Sequence, residues 1–210
     1  MQILKCNTDM DETTMEAISY AAEEIASGNL VVYPTETVYG IGADVYNQKA
    51  VKKVFMVKNR PFDMALSVAV TDKKMIEDIA EINEIADRLI DAFLPGPLTI
   101  IIKKNPLVSD LVTSGSQKVG IRMPDNPIAL ELVKRCGPIV ATSANIHSHK
   151  DATSVEMAYN ELGDSISTYL DSGSSNLGKP STIVWLNGNE VEIIRQGAIS
   201  IKQILEVVDC

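Results

Sequence analysis

LVVYPTETVYGIG, residues 30–42, runs from an apolar stretch through one proline into a cluster of hydroxyls, a carboxylate and two aromatic rings. Leu30, Val31 and Val32 read as a strand, because a short apolar run rich in β-branched residues suits a buried pleat. Pro34 then fixes φ and withholds an N–H, while Gly40 and Gly42 permit backbone conformations or close approaches that side chains forbid. A strand end opening into such a turn is how α/β proteins commonly build small-molecule pockets. The same residues also read as an ordinary strand-to-loop connection with solvated threonines.

Working outward, Asp11 can cap a helix whose apolar positions Met15, Ile18, Ala22 and Ile25 keep a helical period, and Gly28 supplies its stop. Residues 48–58 read as a helix, residues 66–70 as a strand, and Ile85, Leu89 and Phe93 as the buried stripe of a helix ending before Pro95-Gly96-Pro97. Strands are expected at Leu98–Lys103 and Lys118–Arg122, a helix at residues 126–136, and a short buried strand at residues 139–142. A loop and helix over residues 145–162 precede strand-like runs at 166–170, 182–186 and 191–194, with a closing helix near residues 199–207. This alternation predicts an α/β (α+β) fold: one domain over residues 1–210, with a twisted mixed β-sheet flanked by helices.

The chain has 210 residues, 45% of them hydrophobic, enough for one sizeable core. Its longest apolar runs fall far short of the roughly 20 residues a membrane helix needs, and MQILKCNTDMDE lacks the basic start and apolar middle of a signal peptide. A cytoplasmic protein with no membrane partner is expected. Cys6, Cys136 and Cys210 are odd in number and widely spaced, which suggests reduced thiols and neither a disulfide framework nor a thiolate zinc site. His147 and His149 form an H-x-H in a polar loop and read as solvated, so no resident metal is expected.

A formal net charge of −9 argues against a general nucleic-acid binder. The charge is uneven, however. Residues 45–61 hold five cations (Lys49, Lys52, Lys53, Lys58 and Arg60) and no acid, whereas residues 151–192 hold seven acids and one lysine. That is either one anion-binding patch or, for Lys49, Lys52 and Lys53, a solvated helix face.

GSSNLGKP, residues 173–180, nearly matches a P-loop, but Pro180 replaces the metal-binding hydroxyl residue and a strand-like run follows where a helix is required. The glycine pair of GIG, residues 40–42, lacks the third glycine of a dinucleotide fingerprint. More telling are polar residues just beyond apolar elements: Lys58 and Arg60, Arg122, Ser143 and Asn145, and Arg195. Cations and hydroxyls gathered at element ends suit an anionic ligand, since guanidinium groups fork onto carboxylate or phosphate while hydroxyls and amides fix its orientation.

Seven pieces in order, YPTETVYGIGAD, KNRP, PGPLT, VGIRMP, TSAN, PSTIV and IIRQGAI, span nearly the whole chain. In these it resembles the YrdC-like threonylcarbamoyl-AMP synthases, in their short single-domain form. The resemblance implies an enzyme, a nucleotidyltransferase, that joins L-threonine, bicarbonate or CO2, and ATP into L-threonylcarbamoyladenylate, with Mg2+ as helper and pyrophosphate released. The product would pass to a downstream tRNA threonylcarbamoyl transferase complex that modifies the adenosine beside the anticodon. The resemblance makes Lys58, Arg60, Ser143 and Asn145 catalytic, the K-x-R and S-x-N constellation. It places Thr35, Ser67, Arg122, Ser143 and Ser181 on L-threonine, and Lys58, Arg60, Asn145, Thr153 and Arg195 on ATP. Lys58 and Arg60, as long charged side chains, are expected to reach solvent, so that their removal costs little stability.

The chain departs from the family pattern in Ala65-Leu66 after the KNRP piece, in Ser67 where a histidine is frequent, and in His147-Ser148 after the SAN triplet. Two other readings stand beside the synthase. One is a non-catalytic module of the same fold that binds double-stranded RNA or tRNA; the acidic balance and intact motifs count against it. The other is carbamoyl transfer in metal-centre maturation, whose chains are long and carry zinc-finger motifs absent here.

Overall fold

Asp11 caps the first helix, its carboxylate accepting the Thr14 N–H at 2.8 Å, and Ala17, Ile18, Ala21 and Ile25 form the buried stripe of that helix. Gly28 follows in the left-handed region, at φ 78°, which lets the chain reverse into a strand. This computed structural model describes residues 1–188 and 190–208.

Ten strands among the described residues form one mixed sheet. In chain order they are β1 (Gln2–Lys5), β2 (Val31–Tyr33), β3 (Gly40–Gly42), β4 (Ser67–Ala69), β5 (Leu98–Lys103), β6 (Lys118–Arg122), β7 (Ile139–Ser143), β8 (Thr168–Asp171), β9 (Thr182–Asn187) and β10 (Glu190–Arg195). Across the sheet they lie in the order β1-β8-β2-β3-β7-β4-β6-β5-β9-β10. The helices are α1 (Glu12–Ala26), α2 (Gln48–Val57), α3 (Lys73–Ile79), α4 (Glu84–Phe93), α5 (Asp110–Thr113), α6 (Pro127–Cys136), α7 (Val155–Leu162) and α8 (Ile201–Val208). The expected single domain with a mixed sheet flanked by helices is what the chain forms.

Strand periodicity assigns the two faces. Val32, Ile41, Val68, Ile100, Ile121, Val140 and Val184 point to one side, into a core completed by α2, α3, α4, α7 and α8. Val31, Tyr33, Ala69 and Ile139 point to the other side and pack under α1 and α6. On that second side, α1 and α6 cover one half of the sheet, and the half built on β4, β5, β6, β7 and β9 carries the cavity described below.

Several elements differ from the sequence reading. β1 was not expected; it pairs in parallel with β8 at the sheet edge. Gly40–Gly42 had read as loop, and it forms β3 because Tyr33 on β2 lays its ring across both glycines: a Cβ at Gly40 would sit 3.1 Å from that ring and one at Gly42 3.3 Å. The strand expected from residue 166 begins at Thr168, after a 3-10 turn at Gly163–Ser165. The last helix starts at Ile201, since Ser200 precedes it and accepts the Gln203 N–H on its hydroxyl. α3 and α5 were also missed.

Cys6 and Cys136 are free, and burial pushes both thiols up to about 11; Cys210 lies outside the described residues. His149 is exposed but pairs with Glu161, Nδ1 to Oε2 at 2.7 Å. Among the described residues no helix is long and apolar enough to cross a membrane.

Candidate active site

Two rows of side chains cross the open half of the sheet. Strand register aligns Ala141, Ser67, Gly120, Ile101 and Trp185 in one row. The next contains Ile139, Ala69, Arg122, Thr99, Ile183 and Arg195. Small residues in the middle of the first row make the floor low. Gly120 is the clearest case, since a Cβ there would meet Ser67 Oγ at 2.8 Å. Over this floor lies a cavity of about 470 Å³, walled by Tyr33, Thr35, Thr37, Arg60, Ser143 and Asp151 among others, a size typical of small-molecule sites.

Four cations line the cavity, Arg60, Lys118, Arg122 and Arg195, against one acid, Asp151. A chain of net charge −9 therefore gathers positive charge at one place, as an anionic ligand requires. Sheet strands supply three of the four cations, Lys118, Arg122 and Arg195, and the basic run of residues 45–61 supplies one. Lys49 and Lys52 lie exposed on α2, and Lys53 donates to the Gly28 carbonyl at 2.7 Å. Of the five cations in that run, Arg60 alone lines the cavity. Asn59, at φ 48°, turns the chain there. Arg60 is then held by its Nε on the Met64 carbonyl at 3.0 Å and its Nη2 on the Ala65 carbonyl at 2.8 Å.

Lys58 corrects the expectation of a solvent-reaching side chain. It is 1% exposed. Its ammonium donates to the Ser143 carbonyl and, at 2.6 Å, to the Asn145 carbonyl, while the His147 N–H donates to the Lys58 carbonyl at 2.7 Å. The end of α2 and the turn after β7 are thus stapled together, with the charge behind the cavity wall. Burial, followed by the nearby Arg60 charge, lowers the ammonium to about 8. Asn145 is also buried, its amide donating to the carbonyls of Ile146 and His149, each at 2.9 Å. Thr153 sits at the start of α7, where its hydroxyl faces Met157 Sδ at 3.4 Å. Neither Asn145 nor Thr153 lines the cavity.

The expected amino-acid residues do converge: Thr35, Ser67, Arg122, Ser143 and Ser181 all line the cavity. Their hydroxyls are not equally available. Thr35 Oγ1 donates to the Val38 carbonyl at 2.6 Å and accepts the N–H groups of Thr37 and Val38. With its single proton spent, its 2.9 Å contact with Thr37 Oγ1 must be one it accepts. Thr35 therefore shapes the turn. Ser181 Oγ is shared between Thr99 Oγ1 at 2.8 Å and Arg195 Nη2 at 3.3 Å. Ser67 and Ser143 hydroxyls have no hydrogen-bond partner among the described residues.

Arg195 grips the Ser181 carbonyl through Nε and Nη2, at 3.2 and 2.9 Å, and Arg122 Nη2 donates to Glu36 Oε1 at 2.7 Å and Thr37 Oγ1 at 3.1 Å. Burial is the leading influence on Arg60, Arg122 and Arg195, lowering each. The sequence reading missed Glu36, Thr37 and Asp151 as parts of the site. The first two stood inside the quoted stretch, where two threonines flanking an acid were the available signal; Asp151 lies in a polar loop with no such signal. Among the described residues no cluster of three or more His, Cys, Asp or Glu could hold a metal. For Mg2+ that leaves Asp151 as the carboxylate on the wall. Such a donor set suits an ion held mainly by phosphate oxygens and water.

Residues 23–197 match the Sua5/YciO/YrdC family model, described as telomere recombination. A Methanocaldococcus jannaschii protein provisionally named threonylcarbamoyl-AMP synthase is 38% identical over 203 residues, covering 97% of this chain and 96% of its own. The Bacillus subtilis threonylcarbamoyl-AMP synthase is 37% identical over 204 residues, with 96% of this chain and 59% of that protein covered. The crystal structure of Pyrococcus abyssi Sua5 complexed with L-threonine superposes with a TM-score of 0.94 at 34% identity, over 99% of this chain and 61% of that one. This chain thus spans about three fifths of those two longer relatives and nearly all of the Methanocaldococcus jannaschii protein. On sequence match and fold, the chain belongs to the Sua5/YciO/YrdC family.

Proposed function

We propose that the chain is a threonylcarbamoyl-AMP synthase: the L-threonine amine adds to CO2 with loss of a proton, or to bicarbonate with loss of water, to form a carbamate, whose oxygen attacks the α-phosphate of ATP and expels pyrophosphate. The observation that carries this reading is the pairing, over one floor, of four cations with the free hydroxyls of Ser67 and Ser143. The reacting species are a carboxylate, a carbamate and a triphosphate, which repel one another. Holding them in line is the main catalytic task.

Arg122 serves the amino-acid carboxylate, and Ser67, Ser143 and Ser181 surround the rest of the threonine. Arg60 and Arg195 face the phosphates, where charge develops as the carbamate attacks. Lys58 adds positive charge from behind the Ser143 to Asn145 turn and holds that turn's shape, and Asn145 and Thr153 support the nucleotide side. Mg2+, when bound with ATP, offsets phosphate charge, and Asp151 is the residue that would reach it. The product goes to a tRNA threonylcarbamoyl transferase complex in the cytoplasm.

The test is pyrophosphate release from ATP. It is expected to require both L-threonine and bicarbonate, and to fall on the order of a hundredfold or more when valine replaces threonine, because a site that hydrogen-bonds a hydroxyl penalises the isostere lacking it. Release indifferent to the amino acid would sink the proposal. Steeply salt-dependent RNA binding without any turnover would favour the RNA-module reading instead.

A further inference from the structure

Glu36 and Arg122 are 8% exposed at the side chain and 86 residues apart in sequence, and they meet beneath the cavity. Arg–carboxylate pairs are frequently bidentate, with the guanidinium fork on both carboxylate oxygens. This pair is not. Glu36 Oε1 takes one Nη2 hydrogen at 2.7 Å, whereas Glu36 Oε2 and Arg122 Nε are buried with no partner.

The second Nη2 hydrogen goes to Thr37 Oγ1 at 3.1 Å. Since Thr35 spends its own proton on the Val38 carbonyl, Thr37 must donate to Thr35. The chain of donors is therefore directed: Arg122 N–H to Thr37 hydroxyl, Thr37 to Thr35, Thr35 to backbone carbonyl. Both hydrogens of Nη2 are consumed and the guanidinium cannot rotate without breaking them. Nη1 remains, with no protein partner among the described residues, on the side chain that lines the cavity.

We infer that Glu36 is a positioning residue, which fixes the Arg122 guanidinium so that Nη1 presents to the carboxylate of the amino-acid substrate in a single-pronged contact. The inference rests on the reading that this cavity takes an amino acid. Glu36 touches no substrate atom in this scheme; it acts through Arg122. Its main chain has a separate duty, accepting the Leu177 N–H at 2.9 Å, and side-chain substitutions leave that bond in place.

The experiment is calorimetric titration of the full chain with L-threonine and, separately, ATP, alongside the melting midpoint. Glu36→Ala should weaken threonine about tenfold or more, the scale of one hydrogen bond to a charged group, and leave ATP within about twofold. Glu36→Gln keeps an acceptor oxygen and the volume, and should restore threonine to within about threefold of the wild type. Should Glu36→Ala not fold, Glu36→Asp substitutes for it: the charge stays but the oxygen retracts by one methylene, and threonine should weaken as with alanine. Wild-type threonine affinity in folded Glu36→Ala or Glu36→Asp, or a Gln variant as weak as the Ala one, would overturn the role, as would parallel losses of threonine and ATP. Absence of threonine binding by the wild-type chain would instead overturn the amino-acid reading and the proposal with it.

Discussion

Gly120 lies in the centre of the cavity floor, flanked across the sheet by Ser67 and Ile101. Two effects oppose each other in Gly120→Val. Valine suits a strand better than glycine by up to about 1 kcal/mol, while overpacking a filled site costs about 1–3 kcal/mol. Here the nearest atom to a new Cβ is Ser67 Oγ at 2.8 Å, on a side chain that borders the cavity and can swing into it. The net change in stability should therefore stay under about 2 kcal/mol, and the lost space should appear in the ligand. Threonine affinity is expected to fall about tenfold or more, roughly one lost hydroxyl contact. Calorimetry beside a urea melt checks it, and threonine affinity retained in a well-folded variant would show that the floor is not where threonine lies.

Between elements, Lys58 decides how α2 meets the turn after β7. Its folded value of about 8 lies below the ordinary lysine value of 10.5, so between those pH values the unfolded chain binds more protons. Stability then rises with pH across that window. The buried charge costs stability below about pH 8, and the cost is relieved as the ammonium deprotonates, on the order of 3 kcal/mol in full. Neutral amine retains two N–H groups for the two carbonyls. Relative to Lys58→Met, which has no such titration, the wild type should gain stability from pH 8 to 10. Pyrophosphate release should move the other way, falling as the charge behind the phosphates is lost. Urea melts and turnover at pH 7.5, 8.5 and 9.5 separate the two, and a constant stability difference would refute a neutralising Lys58.

For the whole molecule, four cations around one cavity repel each other on a scaffold that is otherwise acidic. A polyphosphate that binds the folded chain and not the unfolded one stabilises it by about 2.7 kcal/mol at a hundred times its Kd. For a domain of this size that is a rise in Tm of about 5–10 °C. Inorganic tripolyphosphate should produce it, whereas sodium chloride at matched ionic strength should not. Equal shifts from both salts would point to general screening and away from a shaped anion site.

From the sequence alone, local physics was legible where it is local. Asp11 announced its helix because a cap needs only the next three residues, and Leu98–Lys103 and Lys118–Arg122 appeared with the bounds that their apolar patterns dictate. The recurring motifs identified the family and named residues that do line one cavity. What only the tertiary structure decided is long-range. β3 carries two glycines and little strand propensity, and exists because a tyrosine from β2 covers them. Lys58 looked solvent-reaching and is buried because two carbonyls, one at the end of β7 and one in the turn after it, satisfy it. Thr35 looked like a substrate hydroxyl and is spent on its own turn. The Glu36 and Arg122 pair, like the rows that form the floor, depends on register between strands distant in the chain. Strand order and register are set by which faces can be buried together, and no window of neighbouring residues contains that information.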